Sequence, residues 1–160
     1  MAIKDILLLG NPLLYEKSKS VREEEIPALL PKLDLMFETI LDFRKRYGAG
    51  RAIAAPQIGL MKRIICLNID ERVAMINPEM VELSDEMFEV WDDCMSFPNL
   101  LVKVMRHKKL TLTFYDINWQ KQTWYLEDDM AELIQHEYDH LDGILATQLA
   151  LDNLSFRWKP

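Results

Sequence analysis

Six consecutive residues, Gln135-His136-Glu137-Tyr138-Asp139-His140, carry the strongest chemical signal in the chain. On a helix, residues four apart stand one above the other on a single face. His136 and His140 can then offer two imidazole nitrogens to one ion. Glu137 directly follows the first of them, where a carboxylate can take a proton from a reacting water and return it to a leaving amine. Two ligands with a carboxylate beside the water are the physical content of the H-E-x-x-H pattern. A bare match to this pattern also arises by chance on a helix surface. Against that, the chain has only 3 His residues, and two of them are here. Met130, Leu133, Ile134 and Leu141 further predict an apolar side to the same helix, which would bring the pair near the core.

A catalytic site of this kind uses three protein ligands and leaves a fourth position for water. Cys94 is the leading third ligand, in the break Asp92-Asp93-Cys94-Met95-Ser96-Phe97-Pro98 between two strand-like runs. Cys66 sits inside the apolar run Ile64-Ile65-Cys66-Leu67 and reads better as a small buried hydrophobe. His107, between Arg106 and Lys108, reads as an exposed strand end. Cysteine with two histidines suits iron, zinc, nickel or cobalt, and availability decides among them.

The metal-binding helix is expected from about Asp128 to Leu141. Glu127, Asp128 and Asp129 crowd its start, where the dipole favours negative charge, and Gly143 ends it. A first helix is expected from about Ile26 to Tyr47, with Leu29, Leu33, Met36, Phe37, Ile40 and Leu41 at helical spacing. Pro27 suits its first turn, Pro31 would move the start later, and Gly48 and Gly50 stop it. Arg44-Lys45-Arg46 reads as its solvated, dipole-favoured end. Between the helices the signal is strand: Arg63 to Ile69, Met87 to Trp91, Leu100 to Val104, and Leu110 to Tyr115. A turn at residues 116–119 leads back through Thr123 to Leu126. The expected fold is α+β: a single domain over residues 1–160 with an N-terminal helix, several short and mainly antiparallel strands, and a C-terminal metal-binding helix.

Bulk properties narrow the function classes. The 160 residues suit one domain, and 49% hydrophobic with 28% charged residues is ordinary globular composition. Lys plus Arg is 19 and Asp plus Glu is 26, so 19 − 26 = −7. That balance argues against nucleic acid or an anionic membrane as the main partner. No stretch approaches the ~20 apolar residues of a membrane span, and the opening MAIKDILLLGNP has no secretory pattern. Cytoplasm is therefore the expected location, with both cysteines reduced.

These residues resemble the peptide deformylases, which remove the formyl group from the N-terminal formyl-methionine of new bacterial and organellar proteins. Three blocks carry the resemblance. Gln135 to Gly143 matches the family's Gln-His-Glu-x-Asp-His-Leu-x-Gly throughout. Gly50-Arg51-Ala52-Ile53-Ala54-Ala55-Pro56-Gln57 matches Gly-x-Gly-x-Ala-Ala-x-Gln in part. Asp92-Asp93-Cys94-Met95-Ser96 matches Glu-Gly-Cys-Leu-Ser in part. The opening AIKDILLLGNPLLYEKSKSV is similar to the family's first strand and turn.

The resemblance implies one divalent ion, commonly Fe2+ with Zn2+, Ni2+ or Co2+ as substitutes, held by Cys94, His136 and His140. It implies Glu137 as acid/base. The side-chain amide of Gln57 and the backbone N–H of Met95 would stabilise the oxyanion. The departures fall where the family receives substrate: Ala52 and Asp93 replace glycines, and Leu101 stands where an arginine is often found. Three readings follow. The first is hydrolysis of formyl-methionyl peptides to formate and a free amine. The second is the same hydrolysis on another N-formyl or small amide substrate, because of the altered cleft. The third is a metal-binding protein without catalysis, against which an intact Glu137 and Gln57 speak.

Overall fold

The computed structural model describes residues 5–159. Two helices, α1 (Ile26–Tyr47) and α2 (Asp128–Leu141), flank eight strands. These are β1 (Ala52–Ala54), β2 (Ile64–Asn68), β3 (Arg72–Leu83), β4 (Met87–Asp92), β5 (Leu100–His107), β6 (Lys109–Tyr115), β7 (Lys121–Glu127) and β8 (Phe156–Trp158). They form a five-stranded sheet in the order β1-β2-β3-β6-β7 and a three-stranded sheet in the order β4-β5-β8. Every pairing between these strands is antiparallel. The α+β architecture expected from the sequence is the one observed. No helix is long and apolar enough to cross a membrane among the described residues.

α1 buries Leu29, Leu33, Met36, Phe37, Ile40 and Phe43, a stripe that turns Leu41 outward at 42% exposure. It covers an apolar cluster with Ile53, Ile64, Cys66 and Ile76. Cys66 is completely enclosed there, and burial pushes its thiol pKa far up. Pro31 does not move the helix start. It lies inside the helix, where it removes only the bond its nitrogen would have made to the Pro27 carbonyl four residues back. Gly48 ends the helix in the left-handed region at φ 74°, its N–H bonded to the Arg44 carbonyl at 2.8 Å. Arg44 is not simply solvated. Its guanidinium donates to the carbonyl of Gly50 at 2.9 Å and to that of Asn68, tying the helix end to the segment before β1.

Three strands escaped the sequence pattern. β3 carries Asn77-Pro78 in its middle, which reads as a turn. In the fold it is an irregularity where the pairing with β6 shifts register between Ile76 and Glu79, with Asn77 at φ 50°. The Asn77 side chain compensates by accepting from Val21 N–H and donating to the Val21 carbonyl, both at 2.8 Å. β1 and β8 have three residues each, too few for alternation to be visible.

α2 packs on β1 and β7 of the larger sheet and on β5 of the smaller, so it bridges the two. Gly143 follows it at φ 74°, and a Cβ there would stand 2.5 Å from the Tyr15 carbonyl oxygen. This close approach lets Ser18 N–H reach the Leu141 carbonyl at 2.8 Å. Gly143→Ala therefore meets both a disfavoured backbone region, worth ~1–2 kcal/mol, and a backbone clash. Urea denaturation is expected to show a loss of at least ~1–2 kcal/mol. The segment before these contacts makes two further ties, from Leu7 N–H to the Gln57 carbonyl (2.7 Å) and from Leu9 N–H to the Ser96 carbonyl (2.9 Å).

Candidate active site

β4 ends at Asp92, and the chain then leaves the smaller sheet through Asp93 and Cys94 into tight turns, with Phe97 N–H on the Cys94 carbonyl at 3.1 Å. This aims Cys94 at α2. The ligand atoms of Cys94, His136 and His140 all lie within 4.8 Å of one another, and all three residues are buried. Cys94 Sγ stands 3.3 Å from His140 Nε2. The two imidazole rings meet edge to face, at 5.0 Å and 75°. Among the described residues, no fourth His, Cys, Asp or Glu joins the set. A thiolate and two ring nitrogens converging in a buried place, with one position left over, fit a divalent transition-metal ion.

The histidines are set by their surroundings. His136 Nδ1 lies 3.0 Å from Asp92 Oδ2, which turns Nε2 toward the ligand cluster. Burial alone would lower the His136 pKa, but the carboxylate of Asp92 and the neighbouring Cys94 hold it well above the ordinary value. His140, fully enclosed and facing His136, is pushed well below the ordinary value by burial and by that neighbour, so its ring is neutral.

Asp92 is itself held by Arg106, whose guanidinium donates to Asp92 Oδ2 at 2.5 Å and to Asp139 Oδ2 at 2.6 Å. Burial would raise the Asp92 pKa, yet His136 and Arg106 keep it well below the usual carboxylate range. Neither Asp92 nor Arg106 stands out in the sequence as a site residue. A signal for Arg106 does exist: Val102, Val104 and Arg106 alternate on one face of β5, and that face is buried at all three positions. An arginine in such a place demands acidic partners.

Glu137 is buried, and its Oε1 has no hydrogen-bond partner in the protein. Burial pushes its carboxyl up to about 7, against the pull of His136. Gln57 comes from the short helical turn Ala55–Ile58 after β1 and is 1% exposed. Its Oε1 accepts from Ala54 N–H at 2.9 Å, which aims Nε2 at Ser96 Oγ (3.1 Å) and Cys94 Sγ (3.5 Å). Met95 is buried beside the cluster.

A cavity of about 160 Å³ opens onto Cys94, His136 and Glu137. Ala52 and Asp93 both line it. Asp93 keeps half of its side chain exposed and pairs with Lys159 at 3.4 Å. Leu101 lies on β5 opposite Arg157 of β8, and it does not line this cavity. His107 is not an exposed strand end. It is half-buried because Gln135 of α2 docks on it, accepting its N–H and donating to its carbonyl, both at 2.8 Å.

A buried Cys-His-His cluster with the unpartnered Oε1 of a carboxyl beside it, set on a helix between two antiparallel sheets, has the make-up of a metal-dependent hydrolase site. The polypeptide deformylase family model matches residues 3–154. A peptide deformylase of Natranaerobius thermophilus is 38% identical over 151 residues, covering 90% of this chain and 90% of that protein. Peptide deformylase 2 of Clostridium acetobutylicum is 34% identical, covering 95% and 98%. The crystal structure of the Thermotoga maritima peptide deformylase superposes with a TM-score of 0.83 at 30% identity, covering 92% of this chain and 97% of that one. That of a Synechococcus elongatus peptide deformylase in complex with actinonin gives 0.84 at 26% identity, covering 94% and 80%. The chain belongs to the polypeptide deformylase family and is a hydrolase of formyl amide bonds.

Proposed function

We propose that the protein, as a single cytoplasmic domain over residues 1–160, removes the formyl group from formyl-methionyl peptides. Cys94, His136 and His140 hold one divalent ion, Fe2+ in the cell, with Zn2+, Ni2+ or Co2+ able to replace it. The observation that carries the reading is a buried carboxyl, Glu137, with an unpartnered oxygen, one residue from a ligand of a three-membered cluster. An ion held by these three residues would act as a Lewis acid and acidify water in the site.

Glu137 takes the proton from that water as its oxygen adds to the formyl carbon. The side-chain amide of Gln57 and the backbone N–H of Met95 donate to the oxyanion that forms. The C–N bond then breaks, Glu137 passes the proton to the departing nitrogen, and formate and a free amine leave. A carboxyl pushed up to about 7 suits both halves of this transfer near neutral pH. Asp92 keeps Nε2 of His136 facing the ion and is in turn fixed by Arg106.

The test is formate release from formyl-Met-Ala-Ser by anaerobically prepared, iron-loaded protein, with Glu137→Ala as control. Release that stops on chelation and returns with Fe2+ is the expected result. A metal-loaded protein that releases no formate would end the proposal. Gln57→Ala is expected to lower kcat by ~10²–10³-fold, the usual effect of deleting one oxyanion donor. Steady-state kinetics with metal content held at one per chain would measure it.

A further inference from the structure

The cavity over Cys94, His136 and Glu137 does not end at Asp93. A second recess, of about 40 Å³, adjoins it, because Phe43, Asp93 and Cys94 line both. Tyr47, Asn99 and Lys159 help to complete the recess. Lys159 is brought there by β8, which pairs with β5 from Leu100↔Trp158 to Val102↔Phe156. Just past that ladder, Lys159 N–H donates to the Asn99 carbonyl at 2.7 Å, which fixes the backbone where the side chain enters the recess. Its ammonium meets Asp93 at 3.4 Å, one residue from the metal ligand Cys94.

An ammonium has three N–H donors. Asp93 takes one of them in a long contact between side chains that are 50% and 35% exposed, so the pair is weak and the other donors are open. Of the lysines and arginines among the described residues, only Arg51 and Lys159 line either cavity, and Arg51 is paired with Asp129. A peptide with its formyl group at the ligand cluster places its first residue in the main cavity, and the chain beyond must leave past a wall. The wall at Asp93 is the one that offers an open cation.

Resting on the deformylase reading above, we infer that Lys159 is a specificity-determining residue that binds the peptide beyond the formylated methionine, its ammonium donating to an oxygen of the second residue and favouring a carboxylate there. Asp93 works against this preference. Its charge offsets that of Lys159 at a distance, so an uncharged peptide group meets a neutral mouth. A carboxylate within reach of Nζ gains a charge-assisted hydrogen bond. Without Lys159, the Asp93 carboxylate is left to repel such a substrate; without the Asp93 charge, the ammonium attracts it more strongly. Both groups are partly exposed, so each effect is of screened size, about two- to fivefold.

The experiment measures kcat/KM for formyl-Met-Ala with a free carboxylate and for its C-terminal amide, in the iron-loaded parent, Lys159→Met, Lys159→Arg and Asp93→Asn. The acid-to-amide ratio cancels any loss of folded or metal-loaded protein. The expected ratio in Lys159→Met lies below the parent's, and that in Asp93→Asn above it, by about threefold in each case. Lys159→Arg keeps the parent ratio. The differences are carried by KM and shrink at about 1 M salt. A Lys159→Met ratio no lower than the parent's overturns the inference, as does an Asp93→Asn ratio no higher or a change confined to kcat, while formate release upholds the deformylase reading. Metal-loaded protein that releases formate from neither peptide overturns that reading, and this inference with it.

Discussion

Replacing Glu137 by alanine is expected to cut formate release by ~10²–10⁴-fold, the range for losing a positioned general acid/base. The argument is one of place. The side chain is enclosed, Oε1 has no partner, and burial sets the carboxyl at about 7. In water a carboxylate is largely deprotonated at neutral pH and returns a proton poorly. Burial raises the Glu137 carboxyl out of that range, which suits a group that must accept a proton and then donate it. Metal content is expected to stay at one per chain, because the ligand atoms belong to Cys94, His136 and His140. Glu137→Gln is expected to be equally slow, as it keeps the shape and loses the proton transfer. Activity within tenfold of the parent at full metal occupancy would remove Glu137 from the chemistry.

Arg106→Met is expected to destabilise the metal-free protein by ~3–5 kcal/mol, the cost of stranding buried partners of an ion pair. The Arg106 side chain is 3% exposed and bridges Asp92, at 2%, to Asp139, at 20%. Methionine fills much of the volume, so the loss is electrostatic. Asp92 would be left with the imidazole of His136 and the carboxyl of Glu132 as partners, and without its cation. Adding Asp92→Asn should recover a substantial part of the loss, since the stranded charge is then gone. Urea denaturation of the two variants and the parent measures both effects. A change below 1 kcal/mol on the single substitution would mean that the pair is solvated in a way the fold does not suggest. The consequence reaches function, because Asp92 orients a ligand, and disturbing such a support costs ~10–100-fold in metal affinity.

Periodicity made both helices legible from end to end, since each carries an apolar stripe and a glycine stop. Spacing made the His136/His140 pair legible, because four residues on a helix is a fixed geometry. Cys94 could be reached by elimination, Cys66 being deep in an apolar strand. What stayed hidden depends on register and packing. Asp92 and Arg106 are 14 residues apart and meet only because β4 and β5 pair as they do, with α2 laid across them. β3 was obscured by Asn77-Pro78, whose turn-like residues are absorbed as an irregularity within a long strand. Gln57 drew attention only through resemblance, since nothing in its spacing marks it as a donor.

The two amide ties of the N-terminal segment amount to a gauge. Leu7 grips the turn that carries Gln57, and Leu9 grips the turn that carries Ser96, next but one to Cys94. Two residues of chain reach no more than ~7 Å, so these turns cannot drift apart while both bonds hold. Gln57 and Cys94 sit in turns that follow strands of different sheets, yet their separation is calibrated by a stretch that contributes no group to the Cys94, His136 and His140 cluster. Lengthening that stretch by a single residue between Leu7 and Leu9 would leave every reactive side chain in the protein and still spoil the spacing at which they work.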